Sequence, residues 1–258
     1  MLKGLYTAYT GMINEQHRMD TMTNNLANAT TNGYKKEGAT SQSFDRVLAY
    51  KIKDTSETPN LPNQIGTMSL GVKIGENYVD YSGGPFKVTD NPLDLALSEN
   101  GFFAIEFTNK AGETSTKYTR DGNFTMTTRG ELVTQDGDFV LGSGGRHIRL
   151  NPNEPVTINR MGEIYQGDAY VDTVMIADFA DYNYLERYGE NYFQPVDGAE
   201  LIPSESEVYS GYLEMANMSV VTEMVNMITI QRQYEANQKV ITTYDSTLDN
   251  AVNQTGRI

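Results

Sequence analysis

The sequence predicts an α+β protein of discontinuous build, in which helices from the two chain ends pair as an antiparallel coiled coil and a mainly antiparallel β domain is inserted between them. Three observations predict it. Apolar residues recur every seven positions near both termini, the spacing of a helical seam. The long middle is cut by Asn100-Gly101, Asp121-Gly122, Asp136-Gly137, Asp197-Gly198 and Ser82-Gly-Gly84 into short runs rich in Val, Ile, Thr, Tyr and Phe, the punctuation of hairpins. The acidity is confined to that middle. Residues 1–40 hold four basic and three acidic side chains and residues 211–258 hold three and five, so −13 of the total charge of −14 falls on residues 41–210.

In chain order, the first stripe is Leu5, Met12, Met19 and Leu26, with Ala8, Met22 and Ala29 three positions after three of them and Glu15 as a polar fault. Asn28-Ala-Thr-Thr-Asn-Gly33 supplies turn formers and a glycine able to take φ > 0, so the first helix should stop there. Strands are expected at 73–81, 93–97, 102–107, 116–118, 123–127, 131–134, 156–159, 163–165 and 170–178. The second stripe is Val220, Met227, Tyr234, Ile241 and Leu248, accompanied by Ile230, Tyr244 and Ala251, with Glu223 and Asn237 as exceptions. No proline follows Pro203. A continuous helix over residues 211–250 would be about 60 Å long at 1.5 Å per residue. The expected organisation is a helical domain of residues 1–35 plus 211–258, a connecting segment 36–79 and a β domain 80–210.

Composition narrows the function classes. With 258 residues and 38% hydrophobic content the chain can enclose a core. Its acidity disfavours nucleic acid and anionic membrane surfaces as partners. The absence of cysteine removes disulfides, thiolate nucleophiles and Cys-based metal sites. Apolar runs such as Phe102 to Ile105 are far shorter than the roughly 20 residues of a membrane span, so no membrane insertion is expected. The N-terminus shows no apolar run of a secretory leader, which leaves a cytoplasmic protein or one exported without a cleaved signal.

No catalytic, cofactor-binding or metal-ligating residues are assigned, and no cofactor is expected. His17 lies in the first stripe and His147 in Gly144-Gly-Arg-His-Ile-Arg149, neither in a nucleophile-elbow setting. Asp136-Gly-Asp138 lacks the further ligands of a calcium loop and reads as a hairpin turn, and Gly142-Ser-Gly-Gly145 reads as a β-turn because no helix follows it. Nucleotide-binding glycine motifs are missing.

Three blocks carry a resemblance. Asn24-Asn-Leu-Ala-Asn-Ala-Thr-Thr-Asn-Gly-Tyr-Lys-Lys36 is similar to the N-terminal signature of the rod and hook family of bacterial flagellar axial proteins, with Asn32 where a proline often stands. Asn91-Pro-Leu-Asp-Leu-Ala-Leu-Ser-Glu-Asn-Gly-Phe-Phe103, with Tyr118-Thr-Arg-Asp-Gly-Asn-Phe124 and Gly130-Glu-Leu-Val-Thr134, resembles the family's middle domain. Gly211-Tyr-Leu-Glu-Met-Ala-Asn217, continuing through Glu223 to Asn237, resembles its C-terminal helix. Leu61 to Thr67 resembles the distal-rod type, and Leu141-Gly-Ser-Gly-Gly145 its proximal paralogue.

The resemblance implies a non-enzymatic subunit of the basal-body rod, exported through the flagellar type III apparatus and polymerising helically with itself and with other rod and hook proteins into a drive shaft. Leu5, Met12, Met19, Leu26, Val220, Met227, Tyr234, Ile241 and Leu248 are then expected at assembly interfaces. Asn24, Asn25, Asn28, Gly33 and Tyr34 form the signature at the helix end, where the asparagines are expected to meet adjacent subunits. Two other classes fit the residues: a secreted β-rich adhesin or binding module oligomerised by its terminal coiled coil, and a cell-wall hydrolase working through a carboxylate pair.

Overall fold

Helix α1 (Leu2–Ala27) opens the chain and helix α2 (Val220–Asn250) nearly closes it, followed by a π-helical turn, Ala251–Thr255. The computed structural model describes residues 2–51, 63–110, 112–189, 191–204 and 206–255. Of the Leu61 to Thr67 block, Leu61 and Pro62 lie outside the described residues. Among the described residues helix and strand are both abundant, so the protein is α+β. The chain falls into two compact units: Met1–Ala27, Glu37–Asp80 and Val220–Ile258 form the first, Asn28–Lys36 and Tyr81–Ser219 the second.

In the first unit α1 and α2 pack on each other and run antiparallel: the Cβ position of Gly4 is taken by Tyr244, and that of Gly11, seven residues on, by Asn237, seven residues back. The C-terminal helix begins at Val220 and not at the expected Gly211. Residues Tyr212–Glu214 are instead a strand paired with Phe86–Val88, entered through Gly211 at φ 82°, a conformation that a helix cannot contain. The helix is therefore about 46 Å long, at 1.5 Å per residue over its 31 residues. Two hairpin-like ladders complete this unit, Glu37–Ser43 with Val72–Val79 and Val47–Lys51 with Asn63–Met68. The sequence reading missed all of these strands except Val72–Val79. Glu37–Ser43 is polar and largely exposed, so it lacks the apolar alternation that marks a strand.

The second unit holds the main core. Phe102–Thr108 is its central strand, paired with Thr114–Thr119 on one side and with Phe139–Val140 and Ile176–Phe179 on the other. Both faces of this strand are covered, which explains the uninterrupted apolar run. Phe103 packs edge-on against Phe124 among Leu95, Leu132, Ile148 and Ile164. Phe102, on the opposite face, meets Phe179, Tyr182 and Phe193. The run expected as one strand over 170–178 is two, Ala169–Thr173 and Ile176–Phe179, because Val174 leaves the first ladder to bridge Gly142. Asp136 and Gly137 turn a hairpin whose Asp138 Oδ2 accepts from the Tyr192 hydroxyl of a separate strand at 2.9 Å, and Gly142 to Gly145 form a tight turn closed by the Gly145 amide on the Gly142 carbonyl.

Candidate assembly surfaces and the signature junction

The helix pair of the first unit has a thin interior. Along α2 the least exposed positions are Glu223, Asn226, Met227, Ile230, Tyr234, Asn237, Ile241, Tyr244 and Leu248, one stripe with the seven-residue period. Of these only Glu223 and Ile230 are fully buried. The two polar exceptions in the sequence pattern therefore belong to the stripe itself. On α1, Leu5, Met12, Met19 and Leu26 are half-buried, while Ala8, Asn14 and Asn25 are buried. Met19 and Tyr234 line the same groove between the helices. The residues expected at assembly interfaces are thus half-buried within the chain, except Val220, which is 39% exposed.

Other apolar side chains stand outside this seam. Tyr6, Tyr9 and Ile13 project from α1, and Val221, Met224, Val225, Ile228 and Val240 from α2. Helices that bury so little of their length within one chain gain little from the packing that normally stabilises a helix.

The signature residues divide between the units. Asn25 ends α1 with its amide turned inward, where Nδ2 donates to the Glu37 carbonyl at 2.7 Å and Oδ1 accepts from the Glu37 amide at 2.9 Å. This two-way bond copies a strand pair and fixes where the chain re-enters the first unit. Within its own chain Asn25 is thus buried against Glu37. Asn24 is exposed, and Asn28 Oδ1 accepts from the Thr31 hydroxyl at 3.3 Å.

In the second unit, residues 28–36 thread against residues 211–217. Gly33 takes φ 65° and passes so close to the Arg120–Asp121 peptide that a Cβ would lie 2.4 Å from its atoms; its amide donates to the Glu214 carbonyl at 2.7 Å. Tyr34 is buried beneath the Arg187 guanidinium, 4.3 Å from the ring centroid.

Lys35 follows into a buried ionic centre. Its Nζ lies 2.6 Å from Glu214 Oε1 and 2.8 Å from the Ser82 carbonyl, and Glu214 Oε1 also accepts from the Gly84 amide at 2.8 Å. Arg120 Nη1 stands 3.4 Å from Glu214 Oε2 without a hydrogen bond, and its Nη2 donates to the Glu99 carbonyl. All three charged side chains are at most 4% exposed. Alongside, Asn217 Oδ1 accepts from the Lys36 amide at 2.8 Å and Nδ2 donates to Ser82.

Lys35, Arg120 and Glu214 were not singled out by the sequence reading, although each lies within one of the three motif blocks. A charge embedded in a motif beside a turn glycine was the available signal. A buried ion set of this kind offers little net stability over apolar packing, but it punishes any pairing that leaves a charge alone. It therefore fixes the register of 28–36 against 211–217.

Next to this centre, burial pushes the Asp121 carboxyl up to about 6, aided by Asp136 and Asp94 and opposed by the Asn123 amide and the Asn191 side chain. His147 pairs with Glu106 at 3.1 Å and stacks on Phe139, and His17 lies within α1. Among the described residues no group of three or more His, Asp or Glu is placed to hold a metal ion, and no helix is long and apolar enough to cross a membrane.

Three family models match in chain order: the flagella basal body rod protein over residues 5–35, the flagellar hook protein FlgE/F/G D1 domain over 96–166, and the flagellar basal body rod FlgEFG protein C-terminal over 209–254. The chain belongs to the flagellar basal-body rod and hook family, and within it stands with the structural subunits of the rod. It is 34% identical to the flagellar basal-body rod protein FlgG of Agrobacterium fabrum, over 95% of this chain and 96% of that one. FlgG of Bacillus subtilis is 31% identical, over 98% and 99%. The flagellar hook-basal body complex protein FlhO of Bacillus subtilis is 30% identical over the whole of both chains.

Proposed function

We propose that this chain polymerises helically into the basal-body rod and carries torque from motor to hook, acting mechanically and not as a catalyst. In this reading α1 and α2 form an antiparallel coiled coil, the inner assembly domain, and the β-rich second unit is the outer domain. Its partners are further copies of itself, the neighbouring rod and hook proteins, and the type III export apparatus through which the unfolded chain passes without cleavage. A chain free of cysteine suits that passage.

The observation that carries the reading is the burial of the helix pair. Two long helices close on each other through a half-buried stripe and leave apolar rows on their outer sides. Such rows cost stability in an isolated subunit and are covered in a polymer. The seam residues Leu5, Met12, Met19, Leu26, Met227, Tyr234, Ile241 and Leu248 hold the pair, and the outer rows meet neighbours. Cells deleted for the chain should be non-motile, with swimming restored by the wild-type chain and not by Ile241→Asp, which places a charge in the seam. Normal swimming and intact rods in the deletion strain would refute the proposal.

A further inference from the structure

The outer row of α2 has a shape and an ending that select a partner. At about 100° per residue, Val221, Met224, Val225 and Ile228 lie within about a third of the helix circumference, opposite the stripe that faces α1. Their exposures are 72%, 48%, 57% and 51%. Spacing i, i+3, i+4, i+7 is that of a helix that lays anchors into a groove. One turn further, Arg232 continues the same face, and among the described residues it has no ion-pair partner.

The same unit holds a groove of about 420 Å³ lined by Tyr6, Thr10, Phe44, Asp45, Val47 and Leu70. Its single charged lining residue is Asp45, which among the described residues has no ion-pair partner either. With Gly4 set against Tyr244 and Gly11 against Asn237, the ridge lies beside the last turns of α1 and the groove beside its first. They are separated by roughly 20 Å along the pair at 1.5 Å per residue. Each copy therefore offers both surfaces at once.

We infer that the ridge Val221–Ile228 of one copy seats in the groove of a second copy of this chain, with Arg232 meeting Asp45. The charges choose the occupant: an apolar ridge ending in a cation meets an apolar groove holding a carboxylate, neither with an ion-pair partner among the described residues. Ridge and groove are different patches, so the contact is heterologous, the type that an open axial polymer requires. The inference rests on the rod reading and names the surfaces that meet in it.

The absence of cysteine gives a clean test. The full chain carrying Val47→Cys and Val225→Cys is expressed in cells lacking the wild type, and purified basal bodies are treated with a short bismaleimide. A ladder of dimers, trimers and higher species is expected from the double variant only, each single variant remaining monomeric. Basal bodies that contain the chain but give no ladder would overturn the pairing and leave the rod reading intact. Dimers from Val225→Cys alone would overturn it in favour of a symmetric contact. Absence of even the wild-type chain from basal bodies would remove the rod reading, and the pairing with it. A charge exchange needs no cysteine: Asp45→Arg or Arg232→Asp alone should lower basal-body recovery at least tenfold, and the two together should restore it to within twofold. Failure of restoration, with both single variants folded, would also overturn the pairing.

Discussion

Glu214→Gln keeps the shape of the side chain and one acceptor for the Gly84 amide, but removes the buried carboxylate that stands 2.6 Å from Lys35 and 3.4 Å from Arg120. Breaking one side of a buried ion set costs about 3–5 kcal/mol, because the remaining charges keep their desolvation penalty. Lys35→Met removes the cation at 2.6 Å and leaves Glu214 the weaker attraction of Arg120 at 3.4 Å, so it should cost somewhat less, about 3 kcal/mol. In the double variant neither Glu214 nor Lys35 is left as a lone charge, and Arg120 keeps the Glu99 carbonyl and the attraction of Asp178. Its cost should fall short of the sum of the single costs by at least about 1.5 kcal/mol. At roughly 2–4 °C per kcal/mol for a unit of this size, Glu214→Gln should lower the melting temperature by about 10 °C. The assay is urea and thermal unfolding of the full chain, with hydrogen exchange of the Phe102–Thr108 strand reporting on the second unit. A loss below 1 kcal/mol for Glu214→Gln, or single costs that simply add, would refute the claim that this centre locks residues 28–36 to 211–217.

Three further outcomes follow from the same geometry. Asn25→Ala deletes both part-buried bonds to Glu37, so the isolated chain should lose about 1–3 kcal/mol in urea unfolding; a change within 0.5 kcal/mol would mean that these bonds do not hold the helix end. Gly33→Ala puts a methyl group 2.4 Å from backbone atoms at a positive φ and should cost more than 2 kcal/mol by calorimetry, whereas a neutral result would mean that this turn is not held as described. The Asp121 carboxyl, raised to about 6 by burial, favours the folded state when protonated. Its contribution is full below the unfolded value of 3.8 and is lost as pH rises through about 6. Asp121→Asn, whose amide can donate to the partnerless Asn191 Oδ1, should therefore be more stable than the wild type by about 1–2 kcal/mol at pH 7 and match it near pH 4. Equal stability at both pH values would contradict that burial.

The helices were legible because a seven-residue apolar period survives whatever surrounds it, and most strands of the second unit because Asp-Gly and Asn-Gly turns bracket β-branched and aromatic runs. What escaped has physical reasons. Tyr212–Glu214 reads as the start of a helix, and only its pairing with Phe86–Val88, more than 120 residues earlier, makes it a strand. Glu37–Ser43 carries no apolar pattern, since its partner strand and α1 supply the order. The signature asparagines were recognised as a pattern while their direction was not: whether Asn25 points inward or outward depends on the chain returning at Glu37. Lys35, Arg120 and Glu214 read as ordinary surface charges one at a time, and become a site only when three distant segments meet. Likewise the seam was visible in the heptads, whereas the outer row at Val221, Met224, Val225 and Ile228 was masked by it.

Electron cryomicroscopy of basal bodies isolated from cells whose only copy of this chain is the wild type would show the helix pair inside the assembled rod. The expected image is a shaft containing this chain, in which α1 and α2 of the same subunit lie antiparallel with Gly4 beside Tyr244 and Gly11 beside Asn237, while the outer row of α2 is covered by a neighbouring subunit. A shaft built without this chain, or one in which α1 pairs with the α2 of a different subunit, would contradict it.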